Sequence, residues 1–460
     1  MNLAEKLSEY SYCLSYREIP REVVHEVKRR LIDSLGCAVA AFSSVPAQMA
    51  RQVIWEFPSK KGSTLFGTRF RTSPEAAAFY NGLLIRYLDY NDTYLSKEPA
   101  HPSDNFSAAL AMGEDLHSSG KDFITAVVLG YEVQCRLCDA ASIRARGWDH
   151  VTYGAFSTAL VAAKLMHLSE KKTYHAVNLA GVANITLRQT RVGELSMWKG
   201  CAFANAARNG LFAARLASRG MTGPAPIFEG RFGLFHLVSG PFKIKKWGGK
   251  RERFKILDTA IKYFPVEYHA QSAVEAALEL RKEILNIDEI RSIHVKTFKA
   301  AIEIIAGERE KWHPVSRETA DHSLPYCVAV ALMDGKMELE QFSLRKIQDE
   351  KLHNLILKVK VEEDLGLTRL YPKAVPISLK IVLKNGHILK KEILHSKGYA
   401  ARPLTDLEVE EKFKNLTRKI FSPNQQKHIL NQLWNLEKME DVGAILRLFR
   451  NLKIKNQRSK

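Results

Sequence analysis

The sequence predicts a mainly helical protein with a smaller α+β domain, and three observations carry this prediction. The first two-thirds consists of alanine-rich and leucine-rich segments with helical spacing. From about residue 290 apolar and polar residues alternate, which is typical of strands. After Pro403 the helical pattern returns. We therefore predict a helical domain over residues 1–267, an α+β domain over 268–400, and a return to the helical domain over 401–460.

The helical segments carry start and stop signals. Pro20 precedes apolar residues at helical spacing, and proline is favourable at a helix start because its missing N–H has no partner there. The alanine-rich segment 200–219 ends before Gly220, a residue type that commonly terminates helices. Its small side chains predict close packing in a helical bundle. The other predicted helices of this region are 75–90, 105–117, 122–140, 153–167 and 171–187.

The α+β domain is predicted from four strand-like segments and two helical ones. Asn385-Gly386 between two apolar strands indicates a hairpin, in which both residues would supply positive φ angles. Thr405, followed by acidic residues, is a predicted helix cap. The strand segments are 291–298, 355–361, 377–383 and 388–394, and the helical segments are 268–284 and 319–334.

Composition narrows the function classes. No stretch approaches the roughly 18 apolar residues of a membrane helix, and the N-terminus lacks a signal-peptide pattern, so we expect a cytoplasmic protein. Six cysteines are too few for a disulfide framework. Cys135 and Cys138 form a C-x-x-C, but zinc needs two more ligands, and we interpret the pair as packed helix residues. P-loop, dinucleotide-binding, nucleophile-elbow and zinc-protease motifs are absent from the sequence.

The formal charge of +19 could suit nucleic acid, anionic lipid or an anionic substrate. The basic residues are spread along the chain, with clusters at 28–30, 243–253 and the tail from Lys453. Solvated helix faces and a frayed terminus account for these clusters more simply than a binding surface. A basic helical protein that binds nucleic acid is the non-enzymatic alternative, but no recognition motif supports it.

Polar clusters in apolar surroundings are the candidate sites. Asp89, Thr93 and His101 could belong to an acid/base set, and a helix end with a polar loop explains them equally well. His150 precedes an alanine-rich helix, where a capping or packing role is the simpler interpretation.

A basic cluster follows in the chain, from Arg188 and Arg191 to Lys199. Arginine binds carboxylates through two parallel hydrogen bonds and lysine adds a point charge, so this cluster would suit a polyanionic substrate. A basic loop on a basic protein is an equally good explanation.

Two further blocks, 262–269 and 319–326, lie where the predicted helical and α+β parts should meet. Ligand sites favour such positions, although either block could be a hinge that only packs.

Taken together, these blocks resemble the MmgE/PrpD family, and the similarity runs from about residue 5 to about residue 450. The blocks are Leu-Asp-Tyr-Asn-Asp-Thr, His-Pro-Ser-Asp-Asn, Arg-Gln-Thr-Arg-x-Gly-Glu-Leu-Ser-Met-Trp-Lys, Gly-Met-Thr-Gly-Pro, Tyr-Phe-Pro-Val-Glu-Tyr-His-Ala-Gln and Arg-Glu-Thr-Ala-Asp-His-Ser-Leu-Pro-Tyr. The resemblance implies a large helical domain, a small α+β lid domain, a homodimer, a site between the domains, and neither metal nor cofactor. Nucleic acid and membranes are not implied as partners.

The resemblance also implies the site residues. Asp89, His101, Lys199, Tyr326 and, with less regular spacing, His150 match catalytic positions of the family. The chain departs from the decarboxylase branch at Glu267, which stands where that branch has histidine. The expected substrate-binding residues are Thr93, Arg188, Arg191, Lys262, His269 and His322.

Two blocks resemble the dehydratase branch of the family, 194–199 and 319–326. The implied activity is a metal-independent hydro-lyase that converts 2-methylcitrate to 2-methyl-cis-aconitate in propionate catabolism by the methylcitrate cycle. A cis-aconitate decarboxylase or another hydroxy-tricarboxylate lyase is the alternative. Within the dehydratase hypothesis His101 transfers the proton with help from Asp89, cations grip the carboxylates, and Tyr326 binds the leaving hydroxyl.

Overall fold

Residues 1–249, 252–450 and 452 are described by the structure, which is a computed structural model. The chain divides into two compact units. Unit 1 consists of Met1–Thr190, Gly200–Thr259 and Thr405–Lys460, and unit 2 consists of Arg191–Lys199 and Ala260–Leu404. The basic tail from Lys453 and two positions of the 243–253 cluster lie outside the described residues. The domain boundaries and the lid role stay predictions.

Helices dominate the chain, as predicted. Up to residue 218 they are α1 (Leu3–Cys13), α2 (Arg21–Ala41), α3 (Val45–Ile54), α4 (Pro74–Arg86), α5 (Phe106–Asp115), α6 (Gly120–Ala140), α7 (Val151–Leu165), α8 (Glu170–Val182) and α9 (Trp198–Ser218). Unit 2 adds α10 (Gln271–Arg281), α11 (Lys299–Ile305), α12 (Arg317–Ala320), α13 (Leu324–Asp334), α14 (Leu344–Ile347), α15 (Glu350–Ile356) and α16 (Leu365–Leu370). The C-terminal helices are α17 (Asp406–Thr417), α18 (Pro423–Trp434) and α19 (Gly443–Leu448).

The helix ends follow local chemistry. Pro20 precedes α2, and Thr405 caps α17 by a reciprocal capping box with Glu408, which confirms both predicted starts. Among the described residues no single helix is long and apolar enough to cross a membrane. The pair α2 and α3 passes that test only when joined, with an 88° bend between them.

Small residues bring the helices of unit 1 close together, as the alanine-rich pattern predicted. A Cβ added at Gly82 on α4 would lie 3.0 Å from the Cβ of Ser107 on α5 and 3.2 Å from that of Ala204 on α9. Because glycine has no side chain at this position, α5 and α9 can approach α4 closely, and a larger residue would collide with them. Cys135 and Cys138 are both buried in α6, as expected for packed helix residues, and burial raises the pKa of both thiols.

Two strands, β1 (Ser63–Thr64) and β2 (Arg71–Thr72), form a short hairpin in unit 1. The main sheet belongs to unit 2 and has the order β4 (Val359–Glu363), β3 (Ile290–Thr297), β5 (Ile377–Leu383) and β6 (Ile388–Ile393). β3 pairs in parallel with β4 and antiparallel with β5. Helices α10 and α13 pack on this sheet, whose inward side chains alternate with exposed polar ones.

Three predicted segments differ in detail. The predicted strand 355–361 begins as the end of α15, and β4 starts only at Val359. The predicted helix 319–334 is broken, because Ser323 caps a new helix that carries Pro325 in its first turn. The helix predicted to reach residue 187 ends at Val182.

The predicted hairpin turn at Asn385-Gly386 is also different. Gly386 has a φ of 85°, but Asn385 is not among the described non-glycine residues with positive φ. Its side-chain oxygen instead accepts a hydrogen bond from the N–H of His387 at 2.9 Å. The side chain of Asn385 therefore stabilises the turn by an Asx-type hydrogen bond, and of these two residues only Gly386 adopts the left-handed conformation.

Candidate active site

The first polar cluster folds together in unit 1 around His101. Its Nε2 lies 2.9 Å from Nη2 of Arg86, and its Nδ1 lies 2.8 Å from the carbonyl oxygen of Asp92 and 3.2 Å from Oγ1 of Thr93. Arg86 and Thr93 are buried, while His101 is partly buried. We call Arg86, Asp89, Thr93 and His101 the His101 cluster.

These contacts assign the tautomer of His101. Arginine can only donate, so Nε2 must accept the hydrogen bond from Arg86. The carbonyl of Asp92 can only accept, so Nδ1 carries the proton. His101 is therefore a neutral imidazole whose basic lone pair is on Nε2. A second proton on this ring would face a guanidinium charge.

Asp89 is the carboxylate partner within this cluster. It is buried and forms an ion pair with Arg86, the last residue of α4. Its φ of 51° is one of three positive values among the described non-glycine residues. Aspartate tolerates this left-handed conformation better than most residues, and such backbone strain is concentrated at functional sites. One guanidinium thus connects Asp89 with His101.

A buried network holds the two loops that carry this cluster. Asp92 accepts hydrogen bonds from the N–H of Ser103 at 2.9 Å and from the hydroxyl of Tyr131 on α6 at 2.7 Å. Lys412 on α17 donates to the carbonyl of Tyr90 at 2.7 Å. Burial raises the pKa of Asp92, and nearby donors offset this cost. The loops are therefore anchored to two different helices.

The structure brings His150 beside this cluster. Its ring centroid is 5.9 Å from that of His101, in an edge-on arrangement. Nδ1 of His150 lies 3.3 Å from Asp149, whose other carboxylate oxygen is 3.9 Å from Nη1 of Arg188. Three predicted site residues, His101, His150 and Arg188, thus meet in unit 1.

The remaining predicted cations belong to unit 2. Nζ of Lys199 lies 2.8 Å from Oδ1 of Asp321 and 3.1 Å from Nδ1 of His322, and these two partners are 2.6 Å apart. Lys199 and Asp321 are each 1% exposed. We call these three residues the Lys199 cluster. It presents a desolvated cation that a carboxylate partly neutralises.

The segment 191–199 is tied to the turn that carries Asp321. Thr319 accepts a hydrogen bond from the N–H of Leu195 at 3.1 Å and donates one to Glu194 at 2.7 Å. Glu194 also accepts from Ser316 at 2.5 Å. These contacts fix the backbone that leads into Lys199. Arg191, another predicted ligand, begins the same segment and is partly buried.

Lys262 and His269 are buried in unit 2 with Glu267 between them in sequence. His269 contacts Glu267 through Nδ1 at 2.7 Å and the hydroxyl of Tyr371 through Nε2 at 3.2 Å. Burial would raise the pKa of Glu267, but the positive charges of His269, His322 and Lys262 lower it to about 2. Glu267 is thus an ionised counter-charge in this part of unit 2.

Tyr326 is buried with its hydroxyl donating to the carbonyl of Gln341 at 2.5 Å, and burial raises the pKa of this hydroxyl. Among the described residues no hydrogen bond joins it to Lys199 or His322. The structure therefore brings Tyr326 into the core of unit 2 rather than into the Lys199 cluster, and its catalytic role stays a prediction.

Sequence reasoning did not single out Arg86, Asp149, Asp321 and Glu267 as functional residues. Each had a local signal: Arg86 stands three residues before Asp89 at the end of a helix, Asp149 and Asp321 directly precede histidines, and Glu267 stands two residues before His269. A charged residue adjacent to a candidate is a natural counter-ion, and the lone histidines could have been paired this way.

Comparison with known proteins identifies the family of the chain. The MmgE/PrpD N-terminal domain matches residues 5–246 and the MmgE/PrpD C-terminal domain matches residues 264–438. The 2-methylcitrate dehydratase of Cupriavidus necator is 29% identical over 444 residues, which cover 90% of each chain. That of Escherichia coli K12 is 27% identical over 462 residues, 94% of this chain and 93% of the relative. A fungal alkylcitrate dehydratase is 28% identical over 462 residues, 92% and 89% of the two chains. The chain belongs to the MmgE/PrpD family.

Proposed function

We propose that the protein is a hydro-lyase that dehydrates 2-methylcitrate to 2-methyl-cis-aconitate. The observation that carries the proposal is the neutral His101, whose Nε2 lone pair can accept a proton. The names of the relatives supply the substrate class, because the C. necator and E. coli proteins are 2-methylcitrate dehydratases. We further propose that the reaction needs no metal, that the enzyme is a cytoplasmic homodimer, and that it serves propionate catabolism.

The reaction breaks a C–H bond beside a carboxylate and the C–O bond of a tertiary hydroxyl. Such a C–H bond is weakly acidic, so negative charge that develops on the neighbouring carboxylate must be stabilised. Nε2 of His101 takes the proton as its hydrogen bond from Arg86 breaks, and the electron pair left on carbon forms the double bond as hydroxide departs. The imidazolium then gives its proton to the departing hydroxide, so that one water leaves and the neutral ring is restored.

The other residues support this transfer by charge and position. Arg86 holds the reactive tautomer of His101 and anchors Asp89 at the same time. Lys199 is the desolvated cation that we assign to the developing carboxylate charge. Arg188, Arg191 and Lys262 are assigned to the remaining carboxylates of the substrate.

The first experiment is proton NMR of purified, chelator-treated protein with 2-methylcitrate and, separately, with cis-aconitate. Loss of 2-methylcitrate and growth of 2-methyl-cis-aconitate, undiminished by chelator, is the expected result. An inert 2-methylcitrate sample beside decarboxylation of cis-aconitate would replace dehydration by the decarboxylase alternative. A rate that chelator abolishes and a divalent metal restores would remove the metal-independent mechanism.

Substrate range within the dehydratase class is a separate question. Because one relative is named an alkylcitrate dehydratase, the same NMR assay should include a 2-alkylcitrate with a longer chain. We expect 2-methylcitrate to have the higher kcat/KM. A clear preference for the longer chain would correct the substrate while leaving the reaction type intact.

A further inference from the structure

Lys311 is a buried lysine of unit 2 that the sequence did not single out. It ends the short 3₁₀ turn Arg309–Lys311, and its side chain is 1% exposed. Its nearest carboxylate is that of Glu308, with Nζ 3.7 Å from Oε2. This distance is too long for a hydrogen bond, and Nζ donates none to the residues that the structure describes.

The backbone of Lys311 is fixed to the turn that carries the partners of Lys199. Ser323 donates its hydroxyl proton to the carbonyl of Lys311 and accepts a hydrogen bond from the N–H of Tyr326, so it also caps α13. Asp321 directly precedes His322 and Ser323 in sequence. Lys199 and Lys311 are therefore bonded to neighbouring residues of one turn.

The charges of the two lysines act on each other. Burial lowers the pKa of Lys311, the carboxylate of Glu308 raises it and the positive charge of Lys199 lowers it, while the carboxylates of Asp321 and Glu194 raise it. Cations in a desolvated region repel each other, and among the described residues no carboxylate oxygen lies at hydrogen-bond distance from Nζ of Lys311 to offset this cost.

Other buried lysines have a carboxylate or carbonyl partner for the ammonium group. Lys412 lies 2.6 Å from Asp33 and 2.7 Å from the carbonyl of Tyr90, and Lys199 has Asp321 at 2.8 Å. Lys311 has neither kind of partner at hydrogen-bond distance among the described residues. A buried ammonium with unused donors is costly for folding alone, and a bound carboxylate would satisfy it.

We propose that Lys311 forms a carboxylate-binding subsite next to Lys199 and binds one carboxylate of a tricarboxylate substrate. This inference rests on the proposed function and extends it to substrate selection. Lys311 contacts Glu308 and Ser323 within unit 2, so we assign it to binding rather than to proton transfer. Removing it should therefore change KM much more than kcat.

The test uses tricarballylate, an unreactive tricarboxylate, in calorimetric titrations of the full-length protein. Lys311→Met should weaken its binding by about 10- to 100-fold, the value of one charge-assisted hydrogen bond, and Lys311→Arg should retain most of it. Lys346→Met is the matched control, because Lys346 also belongs to unit 2 but is paired with Asp334 at 2.8 Å and Asp349 at 3.1 Å. This control should bind like the wild type.

Thermal unfolding distinguishes binding from folding. Because Lys311→Met removes a poorly paired buried charge, its Tm without ligand should be equal to or above that of the wild type. Unchanged affinity in Lys311→Met, or a wild type that binds no tricarboxylate, would overturn the subsite. The subsite would also be overturned if Lys311→Met had a lower Tm than the wild type and Lys311→Arg bound tricarballylate as weakly as Lys311→Met. Wild-type binding of tricarballylate without dehydration of 2-methylcitrate would instead refute the proposed function and leave the subsite standing.

Discussion

In the His101 cluster of unit 1 the proposed base is a neutral ring held by a permanent cation, whereas in the Lys199 cluster of unit 2 a cation is held by a carboxylate. The first arrangement keeps the ring neutral, because a second proton on it would face Arg86. The second keeps a positive charge in a desolvated place, because Asp321 offsets the cost of burial. An elimination beside a carboxylate needs both, a base for the proton and a cation for the developing charge.

The largest expected effect is on the neutral ring. His101→Ala should lower kcat by about 10²- to 10⁴-fold, the usual contribution of general acid–base catalysis, without loss of folded protein. The control is His117→Ala, because His117 is an exposed histidine whose side chain is 69% accessible. Steady-state kinetics on 2-methylcitrate measures both variants. Near-normal turnover by His101→Ala would remove this residue from the mechanism.

The next effect separates charge from stability in the Lys199 cluster. Lys199→Met leaves Asp321 buried without its lysine, so we expect a loss of about 3–5 kcal/mol in urea unfolding together with the loss of turnover. The double variant Lys199→Met/Asp321→Asn should regain most of the stability and none of the turnover. Recovery of activity in the double variant would show that Lys199 serves only to neutralise Asp321.

A third prediction concerns pH and Glu267. Its pKa falls from 4.5 to about 2 in the folded chain, so its ionised form stabilises the fold by an amount on the order of 3 kcal/mol. This contribution is fully present above pH 4.5 and is lost as pH falls toward 2. The difference in unfolding free energy between wild type and Glu267→Gln should shrink over that window. The exposed Glu283→Gln should show no such trend, and a constant difference for Glu267→Gln would contradict the assigned charge.

The smallest effect is expected at Tyr326. Tyr326→Phe removes the hydrogen bond to Gln341 and should cost about 1 kcal/mol of stability, with turnover within about threefold of the wild type. Equilibrium unfolding and kinetics on the same preparation decide this point. A collapse of turnover at unchanged stability would restore the role that the resemblance implied for this hydroxyl.

The sequence predicted the fold best where one period ran for many residues. The long helices from α4 to α9 and the strands β3, β5 and β6 were found because their apolar spacing is repeated several times. The strand predicted at 355–361 was placed four residues too early for a local reason. Asp349 caps α15 just before it, and Leu355 and Ile356 are buried from a helix rather than from a strand.

The site residues could be predicted where they lie close together in the sequence. Asp89, Thr93 and His101 lie within thirteen positions of one another and could be read together. Lys311 could not be recognised, because Glu308-Arg309-Glu310-Lys311 has the composition of a solvated charged stretch. Tertiary packing alone buries its last member while Glu308 stays 32% exposed.

Unit 2 is assembled from two stretches of chain, and this has a consequence for synthesis. Asp321 follows Lys199 by 122 positions, so a ribosome exposes the lysine on the order of ten seconds before the aspartate that neutralises it. Until then the segment 191–199 also lacks Thr319 and Ser316, which bind its glutamate and its backbone. A nascent chain that stalls before residue 316 therefore carries a cationic segment that cannot yet fold, and completion of unit 2 waits for the turn at 319–323 to leave the ribosome.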